Sequence, residues 1–249
     1  METKIKYYLQ IADNALILSH RLSEYCSRAP FLEEDLANTN VALDLIGLAE
    51  AVYEEVARME GKGRIGDNIA YLRKENEYVN SILVEQPNED FAHIMARQFY
   101  TDAFHFYFFT ELCNSKDEFL QAIAHKSLKE VTYHLRRSSE WIIRLGKGTE
   151  EAKQRTQTAI DKLWKYTPAF FIESKADVQM LKNEVGVDLH TVYNQWKQKV
   201  SEVLYLAHLK IPTSDFLIKG GKEGVHSEYL GYILAEMQFL PNKYPDAVW

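Results

Sequence analysis

The sequence predicts an all-α protein, a four-helix carboxylate-type bundle with additional C-terminal helices. Four long stretches carry apolar residues at three- and four-residue spacing. No segment keeps the two-residue alternation of a half-buried strand. Pro and Gly are few, 6 and 11, and neither forms a linker-like run. A chain of 249 residues buries roughly 70–75% of its extended surface on folding, enough for a large core without staples. One domain over residues 1–249 is therefore expected, with a core bundle at about 5–145 and extra helices and a tail at about 149–249.

Taken in order, the first helix is expected from about Ile5 to Cys26 and the second from about Leu32 to Met59, ending at Gly61 and Gly63. A shorter piece at about Asn68–Ser81 leads to a turn at Gln86-Pro87-Asn88. The third long helix follows from Asn88, as N-cap, to Cys113. The fourth opens on a capping box, Ser115-Lys-Asp-Glu118, and stops before Gly146 and Gly148. Shorter helices are expected near 150–165, 174–185 and 188–209. Past Gly220-Gly221-Lys222 and Gly224, a last helix runs to about Leu240, before Pro241, Pro245 and Trp249.

Composition narrows the function. The net charge of −7 is spread along the chain with no basic cluster, which argues against nucleic acid as a partner. No apolar run approaches the roughly 20 residues of a membrane span, and Asp13 and Asn14 interrupt the only N-terminal run that could resemble a signal peptide. Cys26 and Cys113 are the only cysteines and give no disulfide framework. The expectation is a cytoplasmic protein with neither nucleic-acid nor membrane partners.

The informative residues are the polar ones on apolar faces, because a buried charge is costly unless paired or metal-bound. On the second helix the stripe Ala37, Val41, Leu45, Leu48, Val52 and Val56 is flanked by Asp44, with Gly47 one turn on. On the third, Asp102 falls between Phe99 and Phe106 in a stripe with Met95, Phe109 and Cys113. The fourth reads Leu120, Ala124, Ser127, Val131, His134, Ser138 and Ile142 on its inner face, and on the first Leu9, Leu16 and His20 share a face. A di-iron carboxylate bundle needs a Glu from each of two helices and a Glu-x-x-His pair from each of the other two. Here those pairs read Asp44-Leu-Ile-Gly47 and Val131-Thr-Tyr-His134. Gly stands where a His is needed and Val where a bridging Glu is needed; Glu130 is adjacent but turned about 100° away. The only Glu-x-x-His, Glu223/His226, lies in the glycine-rich tail. Two readings of His20, Asp44, Asp102 and His134 stay open: one divalent metal site, or a structural network of buried His–Asp bonds with Arg97, Lys129 or Arg136 as positive partner. Asp102-x-x-His105 is a weaker pair at the stripe's edge. Gly220-Gly221-Lys222 lacks the spacing of a phosphate-binding loop, and no nucleophile elbow, zinc spacing or dinucleotide fingerprint is present.

Several segments carry a resemblance. Asp13-Asn-Ala-Leu-Ile-Leu, Ala29-Pro-Phe-Leu-Glu-Glu-Asp-Leu, Asn40-Val-Ala-Leu-Asp-Leu-Ile-Gly, Val84-Glu-Gln-Pro-Asn and Ala96-Arg-Gln-Phe are similar to bacterial phenylacetate-catabolism proteins. So are Lys129-Glu-Val-Thr-Tyr-His-Leu-Arg, Ser138-Ser-Glu-Trp and the tail from Gly220 to Leu240. Within that family the chain resembles the C, or structural, subunits of ring-1,2-phenylacetyl-CoA epoxidases. The resemblance implies a ferritin-like fold and no cofactor or metal of its own. It also implies a homologous catalytic A subunit holding the di-iron centre, a reductase among the other subunits, and a homodimer when the chain is alone. His20, Asp44, Gly47, Asp102, Val131 and His134 would then be vestigial metal-site positions, with no catalytic residue in this chain. The alternative is an autonomous di-iron or mononuclear oxidase or oxygenase. A structural subunit should expose apolar surface on its long helices, and Phe104-His-Phe-Tyr-Phe-Phe109 and the tail at Trp249 are the candidates.

Overall fold

The computed structural model describes residues 1–213 and 218–244. Among these the protein is all-helical, the class its periodicity predicts. Eleven α-helices are described: α1 (Glu2–Glu24), α2 (Leu32–Glu60), α3 (Gly66–Tyr71), α4 (Ile82–Glu85), α5 (Phe91–Leu112), α6 (Glu118–Gly146), α7 (Glu150–Trp164), α8 (Lys175–Lys182), α9 (Leu189–Leu206), α10 (Glu228–Met237) and α11 (Phe239–Lys243). They fall into two compact units, one of Met1–Pro87 with Gly220–Trp249, the other of Asn88–Lys219. Each unit contains two of the four long helices, α1 and α2 in the first and α5 and α6 in the second.

In the first unit α2 folds back on α1, α3 packs on α2, α4 on α1, and α10 on α4. The α2 stripe buries Val41, Leu45, Leu48, Val52 and Val56. Gly61 ends α2 in the left-handed region (φ +61°), its N–H donating to the Ala57 carbonyl at 3.2 Å, the turn a glycine adopts without a Cβ clash. The piece expected as one helix over Asn68–Ser81 is instead α3, a 3-10 turn at Glu75–Glu77 and an extended stretch into α4. Its polar side chains take backbone bonds that a helix would otherwise make: Asn68 Oδ1 accepts from Ile65 N and Glu77 Oε2 from Lys74 N.

In the second unit α6 folds back on α5, and both α7 and α9 pack against this pair. The N-caps differ from the sequence expectation by two residues. Asp90, not Asn88, caps α5 by accepting from His93 N at 2.8 Å, which leaves Asn88 to accept from Arg97 at 2.6 Å. Asp117 caps α6 by accepting from Leu120 N at 3.1 Å, while the Ser115 hydroxyl donates to the Val185 carbonyl at 2.7 Å. An aspartate in competition with Ser or Asn brings a full charge to the positive helix end. The aromatic stretch Phe104–Phe109 is largely core: Phe104, Phe108 and Phe109 are buried, and Phe104 stacks on Phe170 at 4.3 Å. Trp249, the other candidate for an exposed surface, lies outside the described residues.

Candidate functional site

The inner row of α6 is as its spacing implies: Leu120, Ala124, Ser127, Val131, His134, Ser138 and Ile142 are all buried. From α5, Asp102 and His105 are buried too. Burial pushes the Asp102 carboxyl up to about 6, with His134, Ser138 and Arg137 each pulling it part of the way back. Of the positive side chains, buried Arg137 is the one that bears on Asp102; among the expected candidates, Arg97 is buried but donates to Asn88, and Lys129 and Arg136 are exposed. Ser138 lies one turn beyond His134, and its hydroxyl donates to the His134 carbonyl at 3.0 Å. His105 is held neutral: burial, then the neighbouring His134, push it down to about 3. This is a buried polar cluster inside a helix pair, with one carboxyl and two imidazoles.

The candidates in the first unit are less enclosed. Asp44 and Gly47 are half-buried on α2, and a Cβ built on Gly47 would meet nothing within 4 Å. His20 lines a cleft of about 330 Å³ between the end of α1 and α10, and burial lowers its pKa. Asp13, between Leu9 and Leu16 on the face expected for His20, is fully buried.

A di-iron centre does not fit these residues. Position 131, one turn before His134, holds a buried valine, and position 47, one turn after Asp44, holds no side chain. Neither can donate to a metal, and bridging carboxylates are what place two irons side by side. Among the described residues of either unit, no three His, Cys, Asp or Glu side chains converge to hold a metal ion.

The profile of the family described as "Phenylacetic acid catabolic protein" matches residues 1–249. A curated relative from Escherichia coli (strain K12), the C subunit of 1,2-phenylacetyl-CoA epoxidase, is 42% identical over 243 residues, 98% of each chain. The chain belongs to the phenylacetic acid catabolic protein family. No described helix of this family member is long and apolar enough to cross a membrane.

Two polar networks of this family member escaped the sequence reading. In the first, the buried Asp13 carboxylate takes a bidentate contact from Arg73, a 2.5 Å bond from the Tyr53 hydroxyl and a 2.8 Å bond from Val79 N. Arg73 also donates to the Ile69 and Glu77 carbonyls and lies 4.1 Å from the Tyr78 ring centroid. Asp13 at the centre of the α1 stripe was the available signal, since a charge there requires a partner.

In the second network, Glu85 is the hub. One carboxylate oxygen accepts from Asn80 Nδ2 at 2.9 Å and faces His226 Nδ1 at 2.6 Å. The other accepts from Ser227 N at 2.8 Å and Ser227 Oγ at 2.6 Å. Its backbone carbonyl accepts from Arg21 Nη2 at 2.7 Å. The tail's Glu-x-x-His thus works through Glu85 rather than Glu223. The tail glycines allow the approach: a Cβ on Gly221 would sit 2.3 Å from the Asn80 carbonyl oxygen, and one on Gly224 2.3 Å from that of Asn76. They serve backbone contact, and no phosphate loop is needed to explain them.

Proposed function

We infer that this chain is the structural, non-catalytic subunit of a multicomponent phenylacetyl-CoA ring epoxidase acting in aerobic phenylacetate breakdown in the cytoplasm. The observation that carries this reading is the end-to-end match to the C subunit of such an epoxidase. The chemistry belongs to a homologous catalytic A subunit, which holds the di-iron centre, with a reductase among the remaining subunits. His20, Asp44, Gly47, Asp102, Val131 and His134 are then vestigial metal-site positions. The buried Val131 and the bare Gly47 support this, because each removes a donor that two irons would need.

The surface of α2 supports a docked partner. Leu32, Leu36 and Leu43 are 70%, 54% and 60% exposed, with Ile46 further along the same helix. Their 4-7-3 spacing is that of a seam that another helix can fill, and isolated monomers seldom leave such a row bare.

Co-expression with the homologous catalytic partner, followed by size analysis and a metal count per chain, tests the assignment. The expected result is a mixed complex whose iron scales with the partner chain alone. A chain that stays apart from the catalytic partner overturns the partnership. Stoichiometric iron in the isolated chain, lost in Asp102→Ala or His134→Ala, would make it an autonomous metal oxidase or oxygenase instead.

A further inference from the structure

The hydrogen bonds around His226 leave little freedom in where its protons lie. Nε2 is 2.8 Å from the Tyr78 backbone carbonyl, which can only accept, so Nε2 carries a hydrogen. Nδ1 is 2.6 Å from a Glu85 oxygen that already accepts from Asn80. The other Glu85 oxygen is filled by the two Ser227 donors. A carboxylate used only as an acceptor requires a second hydrogen on Nδ1, so the arrangement fits imidazolium. Both side chains are 0% exposed, which makes the pair strong when complete and unfavourable when incomplete.

The pair also joins two separate pieces of chain. Glu85 is on α4, and Arg21 of α1 holds its carbonyl. His226 and Ser227 belong to the tail that leads into α10. Past them, α10 forms the outer wall of the cleft whose inner wall carries His20, Arg21 and Glu24. The other charge that bears on the site is Asp13, itself neutralised by Arg73; Glu228 lies two residues on, in the first turn of α10.

We propose that Gly220–Tyr244 is a strap held shut by one proton between His226 and Glu85, and that losing this proton loosens the strap and opens the cleft beneath α10. When Nδ1 gives its proton to solvent, its lone pair faces the carboxylate at hydrogen-bonding distance, and both become buried acceptors without a donor between them. The anchors that remain, the two Ser227 bonds to Glu85, His226 Nε2 on the Tyr78 carbonyl, Gln238 Nε2 on the Arg73 carbonyl at 2.7 Å and buried Leu230 and Leu234, tether the strap without that bond. Opening is therefore local. The direction of the His226 shift agrees: burial lowers its pKa, but the Glu85 hydrogen bond and charge outweigh burial and raise it.

The sign follows from that raised pKa. The latch is complete below about 6.5, the ordinary histidine value, and weakens as pH rises through the folded pKa of His226. Amide hydrogen exchange of the full chain between pH 6 and 9, expressed as protection relative to intrinsic rates, reads it directly. Protection of residues 220–230 should fall with rising pH, by at most tenfold per unit for one proton, while α1 and α2 keep theirs. In Glu85→Gln the new amide can donate to a neutral imidazole, so the trend should reverse and acidification should loosen the strap. In His226→Gln no pH trend should remain. Flat protection in the parent chain overturns the proposal, as does a fall shared by α1 and α2 or one retained in His226→Gln. Because the parent chain is itself an arm of the experiment, a variant that fails to fold leaves the test intact.

Discussion

Arg73 and Asp13, 60 positions apart in the chain, form an ion pair buried inside the first unit, with side chains 6% and 0% exposed. Each is otherwise satisfied: Asp13 by Tyr53 and Val79 N, Arg73 by two backbone carbonyls and the face of Tyr78. Removing one partner leaves the other charge buried and unpaired, whereas replacing both by apolar side chains removes the problem with the pair.

Arg73→Met should therefore lower unfolding stability by about 3–5 kcal/mol, the usual penalty for breaking a buried pair. Asp13→Leu combined with Arg73→Met should be destabilised by less than the sum of the two single changes. Urea unfolding of the three variants measures both. A loss below about 1 kcal/mol for Arg73→Met would show that the pair is solvated.

Legibility in the sequence divides along a physical line. Where one helix's own period decides the outcome, the reading succeeds: the α6 row from Leu120 to Ile142 is buried throughout, and α2 begins at Leu32 as its pattern indicates. Where two acidic or polar groups compete for one helix end, as at Asn88 and Asp90 or Ser115 and Asp117, spacing alone does not choose. The Asp13–Arg73 and Glu85–His226 pairs were hidden for another reason. They join residues 60 and 141 apart, and a charge on an apolar face announces that it needs a partner without naming it. The missing donors at 47 and 131 were legible because a metal site specifies residue types at a fixed helical offset.

The second unit should show an unusual acid response. His93 and His105 are pushed down to about 4 and about 3, so the stability they contribute is present above 6.5 and is lost as pH falls toward those values. Asp102 acts oppositely: raised to about 6 from an ordinary 3.8, it contributes stability below 3.8 that is lost as pH rises through 6. Between pH 4 and 6 two protons taken up on unfolding are set against one released, a net of about 1.4 kcal/mol per unit from these three groups. Asp102→Asn should steepen the acid slope by one proton, and His105→Phe should flatten it by one. Urea midpoints at pH 4, 5 and 6 measure the slopes; identical slopes in all three proteins would mean these side chains are hydrated.

Gly47 offers a stabilising change. It lies inside α2, its φ is not in the left-handed region, and an added Cβ would meet nothing within 4 Å. Gly47→Ala should raise stability by about 0.5–1 kcal/mol, the helix-interior difference between the two residues. The same change should leave assembly with the proposed catalytic partner intact if position 47 faces open space there as well. A thermal midpoint, with a pull-down alongside, separates the two effects. Lost binding with unchanged folding would place Gly47 in a tight contact with that partner.

Gly221 is the opposite case. Its φ of +76° is one that side-chain-bearing residues seldom adopt, and its Cβ position is 2.3 Å from the Asn80 carbonyl oxygen. The left-handed backbone alone disfavours Gly221→Ala by about 1–2 kcal/mol, and the overlap forces the tail away from residues 80 and 81. Because the Gly221 N–H also donates to the Val225 carbonyl at 2.6 Å, the turn that presents His226 and Ser227 to Glu85 should be lost with it. Amide protection over residues 220–230 should drop at every pH, including pH 6, where the Glu85–His226 bond in the parent chain is at its strongest. Helices α1 and α2 should keep their protection, since they pack chiefly on each other. Unchanged protection of the tail in Gly221→Ala would mean that the strap is held by α10 alone and that the glycine contact with Asn80 is incidental.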